Sequence, residues 1–179
     1  MRFNSAISLA FLAMALGACG TTQYAALPAA PARVDFASPR VVKDDAPLQC
    51  VAFARAQSGV SIFGDASEWW TKAAGRYPRS NEPAEGSVLV LAGYNDNGRG
   101  HLAVVRRLVN ARTIVVDHAN WLNAGEIDLD MPVLDVSPKG DWSQVRVWHP
   151  PSGQYGKRIY LAKGFIHPFA DIAYSVNRP

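Results

Sequence analysis

Apolar and polar positions change their rhythm along this chain. Ile7 to Leu16 is apolar except for Ser8, and Met1-Arg2 places a positive charge ahead of it. The run is too short to cross a bilayer, so its pattern predicts an export signal. Leu48 to Ala56 reads as a helix ending near Ser58-Gly59, with Asp44-Asp45-Ala46-Pro47 as its entrance. Aspartate suits the cap, and proline suits a first turn whose N–H would go unpaired. Ala66 to Ala74 reads as a second helix, stopped by Gly75 and carrying Trp69 and Trp70. Beyond Pro83 the runs become short and β-branched. Ser87–Leu91, His101–Leu108, Thr113–His118 and Gln144–Trp148 are expected strands. Asn95-Asp96-Asn97-Gly98 and Asn110-Ala111 mark the turns between the first three. Helices first and strands afterwards predict an α+β fold, with N-terminal helices packed on an antiparallel β-sheet.

The ends of the pattern divide the chain. Residues 1–18 are the expected signal peptide. Residues 19–40, rich in Ala and Pro, have little periodicity and read as a tether, and residues 41–179 are the expected globular domain. Leu16-Gly17-Ala18-Cys19 resembles the lipobox of bacterial lipoproteins, in which the cysteine becomes the first mature residue and carries lipid. The resemblance implies anchoring to a membrane through lipid on Cys19, on the periplasmic side of the outer membrane if the source is Gram-negative.

Composition changes this picture little. Hydrophobic residues make up 49% and charged residues 18% of the chain, enough to bury a core and too apolar for disorder. The net charge of +3 suits an anionic wall or membrane surface, but its main reading is solubility alone. It forms no Lys/Arg run, which argues against nucleic acid as a partner.

The cysteines matter more. The chain has two. Lipid would consume Cys19, which leaves Cys50 unpaired in an oxidising compartment. A buried inert thiol is the bland explanation. The alternative is a nucleophile. Cys50 falls in the first turn of the expected helix, where unpaired N–H groups and the helix dipole favour a thiolate and would face an oxyanion. His101 opens a strand directly after Gly98-Arg99-Gly100, a place where a ring can face a cleft. On the next strand, alternation puts His118 and Asn120 on one face and Asp117 on the other. If the strands pair through the Asn110 turn, His118 or Asn120 lies beside His101 and can hold its ring in one tautomer.

These segments resemble the CHAP family, the cysteine, histidine-dependent amidohydrolases and peptidases. The stretch Leu48-Gln49-Cys50-Val51-Ala52-Phe53-Ala54-Arg55 looks like its nucleophile motif. Pro83 to Val90 resembles the strand ahead of its histidine, and Gly100-His101-Leu102-Ala103-Val104-Val105 resembles the histidine motif. His118-Ala119-Asn120-Trp121 falls where the family often has Glu-x-Asn-Trp. The resemblance covers roughly Asp45 to Trp148. It implies a papain-like α+β core and hydrolysis of peptidoglycan, at the N-acetylmuramoyl–L-alanine amide or within its peptides.

Carried over, Cys50 is the nucleophile and His101 the base. The departure is the third position. His118 stands where the family is acidic, and Asp117 could substitute only through a bulge. His118 is preferred, with Asn120 orienting His101 or polarising the carbonyl. The reaction needs no metal or other cofactor. Trp69 and Trp121 are candidate substrate-binding residues, while Trp142, Trp148, His149 and His167 are assigned to structure. The competing reading is a catalytically inactive wall-binding or adaptor lipoprotein of the same fold. Need for an activator protein cannot be read from the sequence.

Overall fold

In the computed structural model, which describes residues 39–43, 45–93 and 99–168, the chain runs β1 (Arg40–Val42), α1 (Cys50–Ser58), α2 (Ala66–Lys72), β2 (Arg79–Ser80), β3 (Val88–Leu91), β4 (His101–Asn110), β5 (Thr113–Ala119), β6 (Ile127–Asp135), β7 (Gln144–His149), β8 (Gln154–Tyr155) and β9 (Tyr160–Ile166). These residues all fall in one compact unit, Val34–Pro179. The export signal, Cys19, nearly all of the tether, Asp44 and the Asn95–Gly98 turn lie outside the described residues.

The strands pair antiparallel in the order β6-β5-β4-β3-β9-β7, and β7 pairs again with β6. Six strands therefore close into a barrel, and β1, β2 and β8 are short additions to β6, β9 and β7. This overturns the expected papain-like α+β layer of helices on an open sheet. The described residues are mostly β, with two short helices on the outside of a barrel. The expectation failed because it lacked two of the closing strands. In β6, Ile127-Asp128-Leu129-Asp130 alternates apolar with acid, and Pro132 then argues against a strand. In β9, Lys163-Gly164 interrupts the apolar run.

Closure makes two cores from one set of strands. Leu89, Leu91, Ala103, Val105, Ile114, Val116, Met131, Val133, Trp142 and Phe165 fill the barrel. Val88, Val90, Leu102, Val104 and Ile166 point outward and are covered by Phe53, Ala54, Ile62 and Trp69 from the helices and the loop between them. Val88-Leu89-Val90-Leu91 is buried at every position for this reason. A strand covered on both faces cannot alternate in polarity.

The N-terminus of α1 is set by packing rather than by a cap. The helix begins at Cys50, after an extended Gln49 whose side chain makes no capping bond. Asp45 and Pro47 therefore lie ahead of the helix, contrary to the expected entrance. Leu48 is pinned instead by its N–H to Gly125 O at 3.0 Å. The chain passes so near that a Cβ on Gly125 would meet Pro47 Cα at 2.7 Å. At the other end Gly59 supplies the left-handed C-cap, with φ 74°.

Gly100 fixes the entry to β4 and to His101. Its φ is +67°, and a Cβ there would meet Ser67 N at 2.8 Å and Leu91 O at 3.0 Å. Gly59 has a similar φ of +74° but open space around it. Gly59→Ala should therefore cost only the left-handed backbone strain, about 1 kcal/mol. Gly100→Ala should cost about 2–3 kcal/mol, since backbone must also move. Urea unfolding of the two variants checks this, and equal losses would show that the Ser67–Leu91 approach constrains nothing.

Candidate active site

The nucleophile candidate sits where helix and barrel touch. Cys50 is the first residue of α1 and is half-buried. Its sulfur is approached by the backbone N–H groups of Leu102, Val51 and Cys50 itself. The last two are orphan donors of a helix start. The N–H of Leu102 is available because the β4–β5 ladder begins only at Val104, opposite Asp117. The thiol thus rests on the residue that follows His101.

Charge at this thiol differs from the expected thiolate. Burial pushes its pKa up, and the three N–H groups only partly offset that. Desolvation penalises the anion more than a single helix start rewards it. The resting group is a thiol.

His101 and His118 meet inside the barrel mouth. Both rings are buried, at 8% and 1% exposed. His101 Nε2 lies 2.9 Å from His118 Nδ1, and the rings stand nearly edge to face at 77°. Trp121 covers both, with ring centroids 4.6 Å from His101 and 5.5 Å from His118, and Tyr160 packs behind it at 4.9 Å. Exclusion of water lowers the pKa of His101 to about 3. His118 is pushed well below its ordinary value by burial first, then by its proximity to His101. Both rings are neutral at rest.

The other candidates fall into three groups. Asn120 ends β5 with a left-handed φ of 60°. Its Nδ2 donates to Gln49 Oε1 at 2.8 Å, so it ties the end of β5 to the residue before Cys50 and makes no bond to His101. Asp117 faces away from the histidines. It accepts the N–H of Asp130 at 2.8 Å and pairs with Arg106 Nε at 3.2 Å. Arg106 is the extra residue of a β4 bulge. Trp69, expected at the substrate cleft, is fully buried under α2 and cannot touch a ligand. Its indole fills space between helix and barrel. Trp142 is buried in the barrel, His149 Nδ1 meets Ser152 Oγ at 2.8 Å, and His167 Nε2 meets Ser80 Oγ at 2.8 Å.

An open cleft of about 330 Å³ leads to His101 and is lined by Arg99, Asn120, Trp121, Arg158 and Tyr160 among others. A second cavity of about 260 Å³ shares Trp121 and Leu122 with it and reaches Lys43, Glu126, Asp128 and His149. Sequence reasoning missed Gln49, Arg158 and Tyr160. Gln49 lies inside the cysteine motif but carried no role there, while Arg158 and Tyr160 come from a segment whose strand was not recognised.

A thiol, a buried imidazole with a second imidazole behind it, and N–H donors at the sulfur can together perform acyl transfer. No curated protein matches the chain. Residues 41–120 match the family model of the CHAP domain. That segment contains Cys50, His101, His118 and Asn120, and it is a CHAP domain, of the cysteine, histidine-dependent amidohydrolase and peptidase family.

Proposed function

We propose that the protein hydrolyses an amide bond of peptidoglycan, either the N-acetylmuramoyl–L-alanine amide or a peptide bond, through a thioester on Cys50. The observations that support this reading are the Leu102 N–H at the thiol, on the residue that follows His101, and the His101–His118 pair joined at 2.9 Å. The guanidinium groups of Arg99 and Arg158 at the cleft suit a substrate bearing carboxylates, as wall peptides do.

The chemistry follows from the neutral resting state. His101 Nδ1 takes the proton of the thiol as Sγ attacks the carbonyl carbon, so no stable ion pair has to form first. For Nδ1 to be the acceptor, Nε2 carries the ring hydrogen and donates it to His118 Nδ1. The N–H groups of Cys50 and Val51 face the developing oxyanion. His101 then protonates the leaving amine, and the acyl group stays on sulfur. Water attacks the thioester, His101 accepts its proton, and collapse returns the thiol and a carboxylic acid. His118 holds His101 in the reactive tautomer. Trp121 lies beside both rings and is the proposed substrate-contacting aromatic.

We propose further that Cys19 carries lipid and that residues 19–40 tether the domain to the periplasmic side of the outer membrane. The pattern Leu16-Gly17-Ala18-Cys19 supports it. Replacement of Cys19 by Ala should release the protein from the membrane fraction, and unchanged fractionation would refute the anchor.

Three results test the activity. Cys50→Ala should abolish release of fragments from purified sacculi, and mass spectrometry of the wild-type products separates the amidase, which frees the lactoyl-sugar end, from the endopeptidase, which shortens stem peptides. Undiminished release by Cys50→Ala would remove the proposal. His118→Ala should lower kcat by about 10²-fold or more with little change in KM, because the tautomer is lost and not the cleft. Equal effects on kcat and KM would make His118 a packing residue. Without substrate, alkylation of Cys50 should titrate above the ordinary thiol value of about 8.5. The direction follows from burial of the thiol. A midpoint near neutrality would mean a preformed thiolate and would rule out proton transfer coupled to attack.

A further inference from the structure

A relay of two neutral rings leaves the charge created on His101 without a counterion. Once the thiol proton reaches His101, an imidazolium sits in a site that depresses its pKa to about 3 at rest. His118 offers it only a lone pair. With His118 Nδ1 accepting from His101, the hydrogen of His118 lies on Nε2, and that atom is buried with no hydrogen-bond partner. A buried N–H left unpaired is costly and calls for an explanation.

The strand register supplies a candidate. His118 on β5 stands directly opposite Asp128 on β6. The bulge between the Val116–Met131 and His118–Asp128 pairs restores the facing. Val116 and Met131 both point into the barrel, and the next pair after His118–Asp128, Ala119–Ile127, belongs to the outer cluster, which puts His118 and Asp128 on the barrel side. Opposed residues on one face of an antiparallel pair have Cβ atoms about 4.5–5.5 Å apart. Asp128 is itself buried, at 2% exposed. One oxygen, Oδ2, accepts from Asn123 Nδ2 at 2.9 Å, and the N–H of Trp121 also bonds the carboxylate. A carboxylate has about four acceptor sites, so capacity remains.

Resting on the hydrolase reading, we infer that Asp128 is a positioning residue that accepts the Nε2–H of His118 and so stabilises the cation formed on His101. A small turn of the carboxyl completes the link. No proton leaves the site: the thiol hydrogen moves to His101, and the hydrogen bonds from His101 to His118 and from His118 to Asp128 shorten. The negative charge of Asp128 offsets the positive charge two rings away. The same carboxylate, through the Trp121 N–H, holds the residue that covers both rings.

Asp128 must be ionised to act. Burial, aided by the charge of Glu126, raises its pKa to about 6, against the Asn123 and Trp121 donors that lower it. Lys43, which pairs with Glu126 at 3.7 Å, and His149 line the same cavity, and His118 faces the carboxyl from β5. The carboxylate is present above about pH 6 and lost as pH falls through it, so kcat should fall with it on the acid side. Asp128→Asn keeps the shape and removes the charge. We expect it to lower kcat by about 10- to 100-fold with KM changed less than about twofold, and to abolish the acid limb. Asp128→Glu should restore part of the rate.

Nitrogen NMR of the histidine rings tests the link without substrate. The Nε2–H of His118 should titrate with a midpoint near the Asp128 value of about 6 in the wild type and stay flat in Asp128→Asn. A flat wild-type response, or wild-type kcat and acid limb in Asp128→Asn, would overturn the inference. If wild-type protein leaves sacculi intact, the hydrolase reading falls instead, and the NMR result still decides whether Asp128 and His118 are coupled.

Discussion

The site depends on the 2.9 Å contact between two imidazoles that the barrel has taken out of water. In solvent such a pair would be weak, since each ring could bond to water as well. Inside the mouth, with Trp121 against both rings, His118 is buried and His101 keeps only a small opening to the cleft. Burial lowers the affinity of both for a second proton, and burial raises that of the Cys50 thiol. The shifts have the same consequence: the resting site is uncharged. A thiolate–imidazolium pair would need two desolvated ions, and the donors at the sulfur are too few to hold the anion.

An uncharged resting site places the burden of catalysis on the moment of attack. In the proposed reaction, charge would appear on His101 and on the substrate oxygen together, and fixed groups would already have to face both. The N–H groups at the start of α1 are proposed to face one, and His118 with Asp128 the other. Preorganised dipoles in a dry site are worth more than the same groups in water. The position of Cys50 is correspondingly overdetermined. Gly125 packs on Pro47, Leu48 bonds Gly125, and Asn120 holds Gln49, so the loop after β5 grips the chain just ahead of the nucleophile.

How much of this could be read in the sequence varied with the distance over which each feature is encoded. The stretches giving β3, β4, β5, β7 and both helices carry their own periodicity and were readable, although α1 starts two residues later than its composition suggests. The proximity of His118 to His101 is only partly local: the tight turn pairs the two strands, but two β-bulges shift their register by two residues before the rings come together. Barrel closure is not local. It needs β6 to pair with both β5 and β7, and β6 hides behind alternating acids and a proline. Trp69 reads the same whether it lines a cleft or fills a core; only the neighbours decide. The raised thiol pKa was illegible for a related reason. Helix position is written in the sequence near Cys50, while the desolvation that outweighs it comes from distant strands.

The family match stops at residue 120, and the barrel does not. The groups proposed to exchange protons and bonds, Cys50, His101 and His118, lie inside the matched segment. The groups that set their environment lie beyond it: Trp121 covers the rings, Asp128 opposes His118 from β6, and Tyr160 at the start of β9 backs Trp121. A segment cut at Asn120 would also leave β4 and β5 without the strands that close the barrel over the histidines. The matched segment therefore holds the atoms proposed to react. The dielectric in which they react is supplied by the following strands, and two of those strands, β6 and β9, were the ones that local pattern could not reveal.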